Sequence, residues 1–329
     1  MAQGDGGSYN NTHRAFLQAL LSTQTITYPT AKPLLAAIQT AQTPERPTLP
    51  EDISQDEFET YIDTLNTHIS PFDFEVKNTL NQSTKERVYA LVNTTSDALT
   101  QMSTTHSPDE LSFMKRVLDA MFETYNTRSA EIMAIKPMQA MKLARPLSEG
   151  RGRESQAAQT QQAKDAGLTQ AQAEKVLEIL SEEGWFELSA KGFYSLSPRA
   201  LMELRGWLVE MYNDQDAEDE DEDEDERVKI KFCAACKEIV TVGQRCSDIN
   251  CQARVHDHCV GNLFRAQQGR EACPSCKKGW KNALPVGEKA AGGQRQSING
   301  GSRQSDGARG NEREEEDSDE VESGAEQEG

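Results

Sequence analysis

Eight residues of this 329-residue chain have the types and the spacing to hold metal. They run Cys233-x2-Cys236-x9-Cys246-x4-Cys251-x4-His256-x2-Cys259-x13-Cys273-x2-Cys276, and they include all seven cysteines of the protein. Zinc takes thiolate sulfur and imidazole nitrogen, four to an ion, so eight ligands fill two closed Zn2+ sites. A C-x2-C turn brings two sulfurs to one ion, and its two-residue gap recurs at His256/Cys259 and Cys273/Cys276. His258 competes for the histidine position. His256 keeps the two-residue gap, which leaves His258 either exposed or hydrogen-bonded behind a ligand. Closed sites offer no open position to water or substrate, so the metal is structural and no residue is assigned a catalytic role. Metal binding instead supplies folding free energy to a unit too small for a full core.

The remaining chain must carry and position this unit. Its net charge of −19 is concentrated in two segments. Residues 214–226 hold eleven acids and no base, and residues 312–329 hold ten acids against Arg313 alone. Outside them the chain is near neutral, so the acidity argues neither for nor against a nucleic-acid partner, and DNA contact stays open. The acidic run predicts an extended spacer that lets the zinc unit swing. A mask over a basic surface, or a mimic of DNA, is the alternative role. No apolar run approaches the roughly 18 residues of a membrane span. The start, MAQGDGGSYN, has neither the basic nor the apolar region of a secretory signal. The expectation is an intracellular protein without membrane contact, where clustered thiols point to metal rather than disulfides.

Apolar periodicity divides the chain. Phe16, Leu17, Leu20 and Leu21, then Leu34, Leu35 and Ile38, then Phe58, Ile62 and Leu65 mark three helices. Phe72, Phe74 and Val76 alternate as in a half-buried strand, with a second strand over 88–92. Ser107, Pro108 and Glu110 form a helix start, continued by Leu111, Met114, Leu118 and Phe122. After a Gln/Ala-rich stretch the pattern repeats. Thr169 and Gln172 cap a helix with Ala173, Val176, Leu177 and Leu180 inward, and Gly184 ends it. "WFEL" and "FYSL" follow as a hairpin, and Ser197-Pro198 opens a last helix with Leu201, Leu204, Leu208 and Met211 inward. Trp207 and Met202 fall off that stripe and are candidate partner anchors.

Helices followed by a two-stranded hairpin describe a winged helix. The fold class is α+β: tandem winged-helix domains, then a small zinc-binding domain, with a disordered acidic linker and tail. The predicted divisions are a disordered 1–10, a first winged helix over 11–145, a linker over 146–166 and a second winged helix over 167–213. An acidic linker over 214–227, a zinc domain over 228–282 and a disordered tail over 283–329 complete the chain. Helix 169–182 has one Lys against three Glu, and its wing offers Lys191 alone, which favours protein docking over DNA reading in the second unit.

The order of seven Cys and one His resembles the RING and PHD families, in which the first and third ligand pairs share one zinc and the second and fourth the other. Glu271 stands where PHD fingers usually carry an aromatic, which argues against a histone-tail reader. Pro274 matches the proline of RING domains that contact a ubiquitin-conjugating enzyme. Ala235 replaces a larger apolar residue, and Lys277 stands where active ligases often have Arg. Ala235, Leu263, Phe264, Pro274 and Lys277 are the contact residues this resemblance implies, with packing around the zincs the other role for Leu263 and Phe264.

With "YALVNTTSDALTQMSTTHSPDELSFMKRVLDAMF" (89–122) and "LTQAQAEKVLEILSEEGWFELSAKGFYSLSPRALMELRGWL" (168–208), the zinc cluster resembles the non-SMC element one family. These are variant-RING subunits of the SMC five–six complex. The resemblance implies a nuclear subunit paired with a MAGE-like winged-helix protein, a kleisin and the SMC heterodimer. It also implies RING-type ubiquitin ligase activity, partner-dependent, in DNA repair by homologous recombination. A non-enzymatic RING-like scaffold that docks the same partners is the alternative.

Overall fold

Three polar side chains start the first unit. Asn10, Thr27 and Ser54 each accept a backbone N–H that a helix's first turn leaves unpaired. They open α1 (Asn11–Ser22), α2 (Tyr28–Gln42) and α3 (Gln55–Ile69). The helices turn Phe16, Leu20, Leu35, Phe58, Ile62 and Leu65 into one core. An antiparallel sheet closes it: β1 (Ile26–Thr27), β2 (Phe74–Leu80) and β3 (Arg87–Asn93), in the order β1-β3-β2. This is a complete winged helix. The computed structural model describes residues 9–95, 105–146, 167–213 and 228–293. The acidic segment 214–227, linker residues 147–166, residues 1–8 and the tail beyond 293 lie outside them.

The second unit starts earlier than the sequence predicts. Helix α4 (Pro108–Asp119), opened by the Ser107/Glu110 capping box, continues through one wider turn to Thr124. It is followed by α5 (Pro137–Lys142), α6 (Gln170–Glu182) and the hairpin β4 (Phe186–Leu188) and β5 (Tyr194–Leu196). Ile135 pairs with Tyr194 as a third short strand. Phe113, Met114, Leu118 and Phe122 of α4 pack with Ala173, Val176, Leu177 and Leu180 of α6. The helix assigned to the first unit therefore belongs to the second, and the boundary at 145 is corrected. The polar stretch after Pro146 joins two helices of one domain. Periodicity shows that a helix is buried but not against what.

Three local corrections have similar causes. Phe72 sits in a 3-10 turn that ends in left-handed Asp73, and it is 71% exposed. The strand begins only at Phe74. Tyr9 stacks on His68 at 4.4 Å and Asn10 caps α1, so order begins before residue 11. The last helix is split into α7 (Pro198–Glu203) and α8 (Arg205–Asn213). Leu204 and Leu208 stay inward as expected, and the stripe then continues at a four-residue step. Tyr212 takes the place expected for Met211, which is exposed, and donates to Asp119 Oδ1 at 2.9 Å. Trp207 is half-buried, edge-on to Tyr212 at 5.9 Å, and so packs in its own domain rather than standing free as an anchor.

The zinc domain contains β6 (Gly243–Arg245), β7 (Arg254–Val255), α9 (Val260–Ala266) and β8 (Leu284–Val286), with sheet order β7-β6-β8. Strand β8 pairs Val286 with Gly243, and α10 (Ala290–Gly293) follows. The domain therefore runs past 282, into the predicted tail. A three-residue strand containing Pro285 carries no periodic signal. Gly243 leaves no room for a side chain against the neighbouring strand. A Cβ there would lie 2.5 Å from the Val255 carbonyl oxygen and 3.1 Å from His256 Cα, both backbone atoms. Gly243→Ala is expected to destabilise the zinc domain by about 1–3 kcal/mol, the usual cost of overpacking. A thermal scan should show this as an earlier melt of that domain, with faster zinc release.

The zinc domain is docked, not swinging. Its Ile230, Ile239, Val240 and Val255 are continuous with the core of the second winged helix. Asn213, the last residue of α8, accepts from Lys229 N–H at 3.0 Å and Ile230 N–H at 2.8 Å, and donates to Ile230 O at 2.9 Å. The described residues on either side of the acidic segment are thus hydrogen-bonded to one another, while the segment itself lies outside the described residues. Among the described residues no helix is long and apolar enough to cross a membrane.

Candidate metal centre

The first and last ligand pairs lie on two copies of one turn. Cys233 N–H donates to Glu238 O at 2.8 Å, and Cys273 N–H to Lys278 O at 2.7 Å. The residue after each second cysteine is left-handed: Lys237 at φ 65° and Lys277 at φ 63°. That region is sparsely used by residues with a Cβ. Here it wraps the chain around the sulfurs. Each lysine then caps its own turn, Lys237 Nζ on Ala234 O at 3.1 Å and Lys277 Nζ on Pro274 O at 2.6 Å.

The ligand atoms gather into two groups. Cys233, Cys236, His256 and Cys259 form one, and Cys246, Cys251, Cys273 and Cys276 the other, with all donor atoms of a group within 4.8 Å of one another. First and third pairs share one site, second and fourth the other, so the fold is cross-braced. A tetrahedral zinc with sulfurs at about 2.3 Å places them about 3.8 Å apart. Cys246 and Cys276 Sγ are 3.5 Å apart, as are Cys251 and Cys273 Sγ. Both donor sets fit zinc, which would hold together segments that share little core of their own. Burial, with the neighbouring Cys276 and Cys273, raises the Cys246 thiol to about 12, so metal must displace protons to bind.

Of the two histidines, the structure groups His256 with the cysteines. His256 Nδ1 faces Cys236 Sγ at 3.3 Å and Cys259 Sγ at 4.0 Å. Its Nε2 lies 3.1 Å from Ile239 O. A carbonyl only accepts, so Nε2 carries the proton and Nδ1 keeps its lone pair for the metal. His258 lies outside both groups and stacks on His256 at 4.9 Å.

Two residues that sequence reasoning missed support the site from outside. Glu131, on the segment between α4 and α5, is fully buried against the zinc domain. Arg254 grips it with Nε and Nη2, each at 2.6 Å, and Lys231 Nζ adds a contact at 2.5 Å. Burial alone would raise this carboxyl, but the Arg254 and Lys231 contacts outweigh it and hold it down at about 2. The only signal for it was a lone acid inside the apolar stretch Ala130–Ile135. The second residue is Gln82, in the wing turn between β2 and β3. Its Oε1 accepts from Thr241 and Val242 N–H at 3.0 and 2.8 Å, and its Nε2 donates to Ile239 O at 2.8 Å.

Of the five residues proposed to meet a conjugating enzyme, Ala235 and Lys277 are exposed, and Phe264 and Pro274 are half-buried. Leu263 is buried among the core residues, on the inward side of α9. It packs around the zinc sites and is withdrawn as a contact.

Tandem winged helices carrying a cross-braced, two-site zinc fold define a RING-like protein built on a winged-helix platform. A family model described as the Nse1 non-SMC component of the SMC5-6 complex matches residues 13–204, and a RING-like domain model matches residues 233–276. The first match covers more than half of the chain, and the chain belongs to the Nse1 family. The human non-structural maintenance of chromosomes element 1 homolog is 22% identical over 281 residues, covering 85% of this chain and 87% of the relative. The Schizosaccharomyces pombe element 1 is 23% identical over 229 residues, 70% of this chain and 79% of the relative. The solved structure of an Nse1-Nse3-Nse4 complex contains a chain that overlays with a TM-score of 0.61 at 19% identity, over 84% of this chain and all of that one, and so shares the fold.

Proposed function

We propose that this protein is the RING-type ubiquitin ligase subunit of an SMC five–six complex, acting in the nucleus in DNA repair by homologous recombination. The observation that carries this reading is the knuckle Cys273-Pro274-Ser275-Cys276-Lys277, at the surface of a cross-braced domain. Family membership supports the assembly. The solved complex of Nse1 with Nse3 and Nse4 supports a MAGE-like subunit and a kleisin as direct partners, with the SMC heterodimer beyond them. No residue of the chain attacks ubiquitin. Ala235, Phe264, Pro274 and Lys277 hold a charged conjugating enzyme in a reactive pose, a gain from proximity and orientation. Lys277 offers a point charge rather than the planar fork of Arg, and its ammonium is engaged by Pro274 O. Activity without the MAGE-like partner is therefore low.

The scaffold reading keeps one specific support. Ala235 presents only a methyl group where a larger apolar contact is usual. Ubiquitin discharge from a panel of charged conjugating enzymes separates the two. With the MAGE-like and kleisin partners present, the protein should speed discharge, and Pro274→Ala should abolish the gain while both zincs are retained. Discharge at the unassisted rate with every enzyme of the panel leaves the scaffold reading.

A further inference from the structure

Each zinc site is backed by a side chain from a different winged helix, Gln82 for one and Glu131 for the other, while Arg205 of α8 also donates to Glu238 and to Lys237 O beside the first site. On the first site, the Ile239 carbonyl receives two hydrogen bonds, one from the metal ligand His256 and one from Gln82 of the first wing. Gln82 also holds the N–H groups of Thr241 and Val242, so the strand that presents this carbonyl is fixed to the wing turn. On the second site, Glu131 holds the Arg254 fork, and Arg254 Nη1 donates to the carbonyls of Cys251 and Ala253, both at 2.8 Å. Arg245, next to the ligand Cys246, donates to Arg128 O at 2.8 Å and Ser129 O at 3.4 Å. The 128–131 segment thus holds two side chains, Arg245 next to Cys246 and Arg254, which donates to Cys251 O.

None of these supports binds metal. Groups that orient ligands from outside typically govern metal affinity by 10–100-fold. We propose that Gln82 of the first winged helix positions the three-cysteine–histidine site, and that Glu131 of the second positions the four-cysteine site. The two metals then report separately on these two supports. A partner that displaces the first wing loosens one ion and leaves the other in place. The inference rests on metal occupancy and is independent of ligase activity.

Cadmium-113 tests it in the full chain, because sites with three and four sulfurs give separate resonances. Each is followed during exchange against excess EDTA. Gln82→Ala should speed loss at the three-cysteine–histidine site about tenfold and leave the four-cysteine site unchanged, and Glu131→Gln should do the reverse. Arg254→Lys, which keeps the charge and loses the fork, serves if Glu131→Gln fails to fold, and should accelerate the same resonance as Glu131→Gln. Equal acceleration of both sites by either variant, or of neither, overturns the proposal.

Discussion

Stripping zinc with a strong chelator is expected to unfold the zinc domain, loosen the second winged helix and leave the first winged helix folded. Structural zinc contributes apparent binding free energies of about 10–16 kcal/mol in small zinc folds. That matches or exceeds the roughly 5–15 kcal/mol that keeps a whole domain folded. The zinc domain has no comparable source of stability. The effect spreads to the second winged helix because Ile230, Ile239, Val240 and Val255 share its core, so their release exposes the faces of α4 and α8. The first winged helix keeps its own core of Phe16, Leu35, Phe58 and Leu65; its strands β2 and β3 lie against α7, and polar contacts such as Gln82 and the Asn81–Glu187 pair add to that seam. Tryptophan emission reads this directly. The three tryptophans are Trp185 and Trp207 in the second winged helix and Trp280 in the zinc domain, with none in the first. Chelation should shift all three toward the red while far-UV circular dichroism keeps the helices of the first unit. Cys246→Ser and Cys273→Ser should act in the same way. If a Trp280→Phe variant shows no emission shift on chelation, the shared core does not couple the domains.

The zinc ligands could be read from the sequence because the chemistry constrains type and spacing together. Sulfur and imidazole must come in fours, and a two-residue gap sets two of them on one ion. The helix starts were equally open, since Ser107/Glu110 and Thr169/Gln172 are local devices whose partners sit three residues away. What sequence could not supply was assembly. The stripe Met114-Leu118-Phe122 declares a buried face, but its partner, α6, lies some 50 residues on, across a polar stretch that reads as a domain boundary. Strand β8 exists only because β6 offers it an edge. The docking of the zinc domain on the second winged helix was hidden for the same reason. Asn213 and Ile230 look unrelated in sequence and are hydrogen-bonded in space. Glu131 was hardest to see, because a buried acid is explained only by the arginines and lysine that meet it from more than 90 positions away.

Glu131→Ala is expected to cost about 3–5 kcal/mol and to release the zinc domain from the second winged helix ahead of global unfolding. The magnitude follows from what is left behind, not from the bond lost. Lys231, Arg245 and Arg254 are each less than a tenth exposed, and removing the carboxylate takes away the counter-charge that all three share. Breaking a buried ion cluster on one side typically costs 3–5 kcal/mol for that reason. The pH dependence has a definite sign. The carboxyl is held at about 2 in the folded protein against 4.5 ordinarily, so the folded state binds its proton less well than the unfolded one. Its contribution is therefore fully present above pH 4.5 and is lost as pH falls toward 2. The depression is worth on the order of 3 kcal/mol, consistent with the cost of removal. Zinc ligands also take up protons on acidification, so the carboxylate's part is read from the difference between wild type and Glu131→Gln in urea titrations at a series of pH values. That difference should be level from pH 8 to 5 and shrink below 4.5. A difference that widens on acidification would mean that Glu131 is held in its protonated form, and the charge cluster would then not be what joins the two domains.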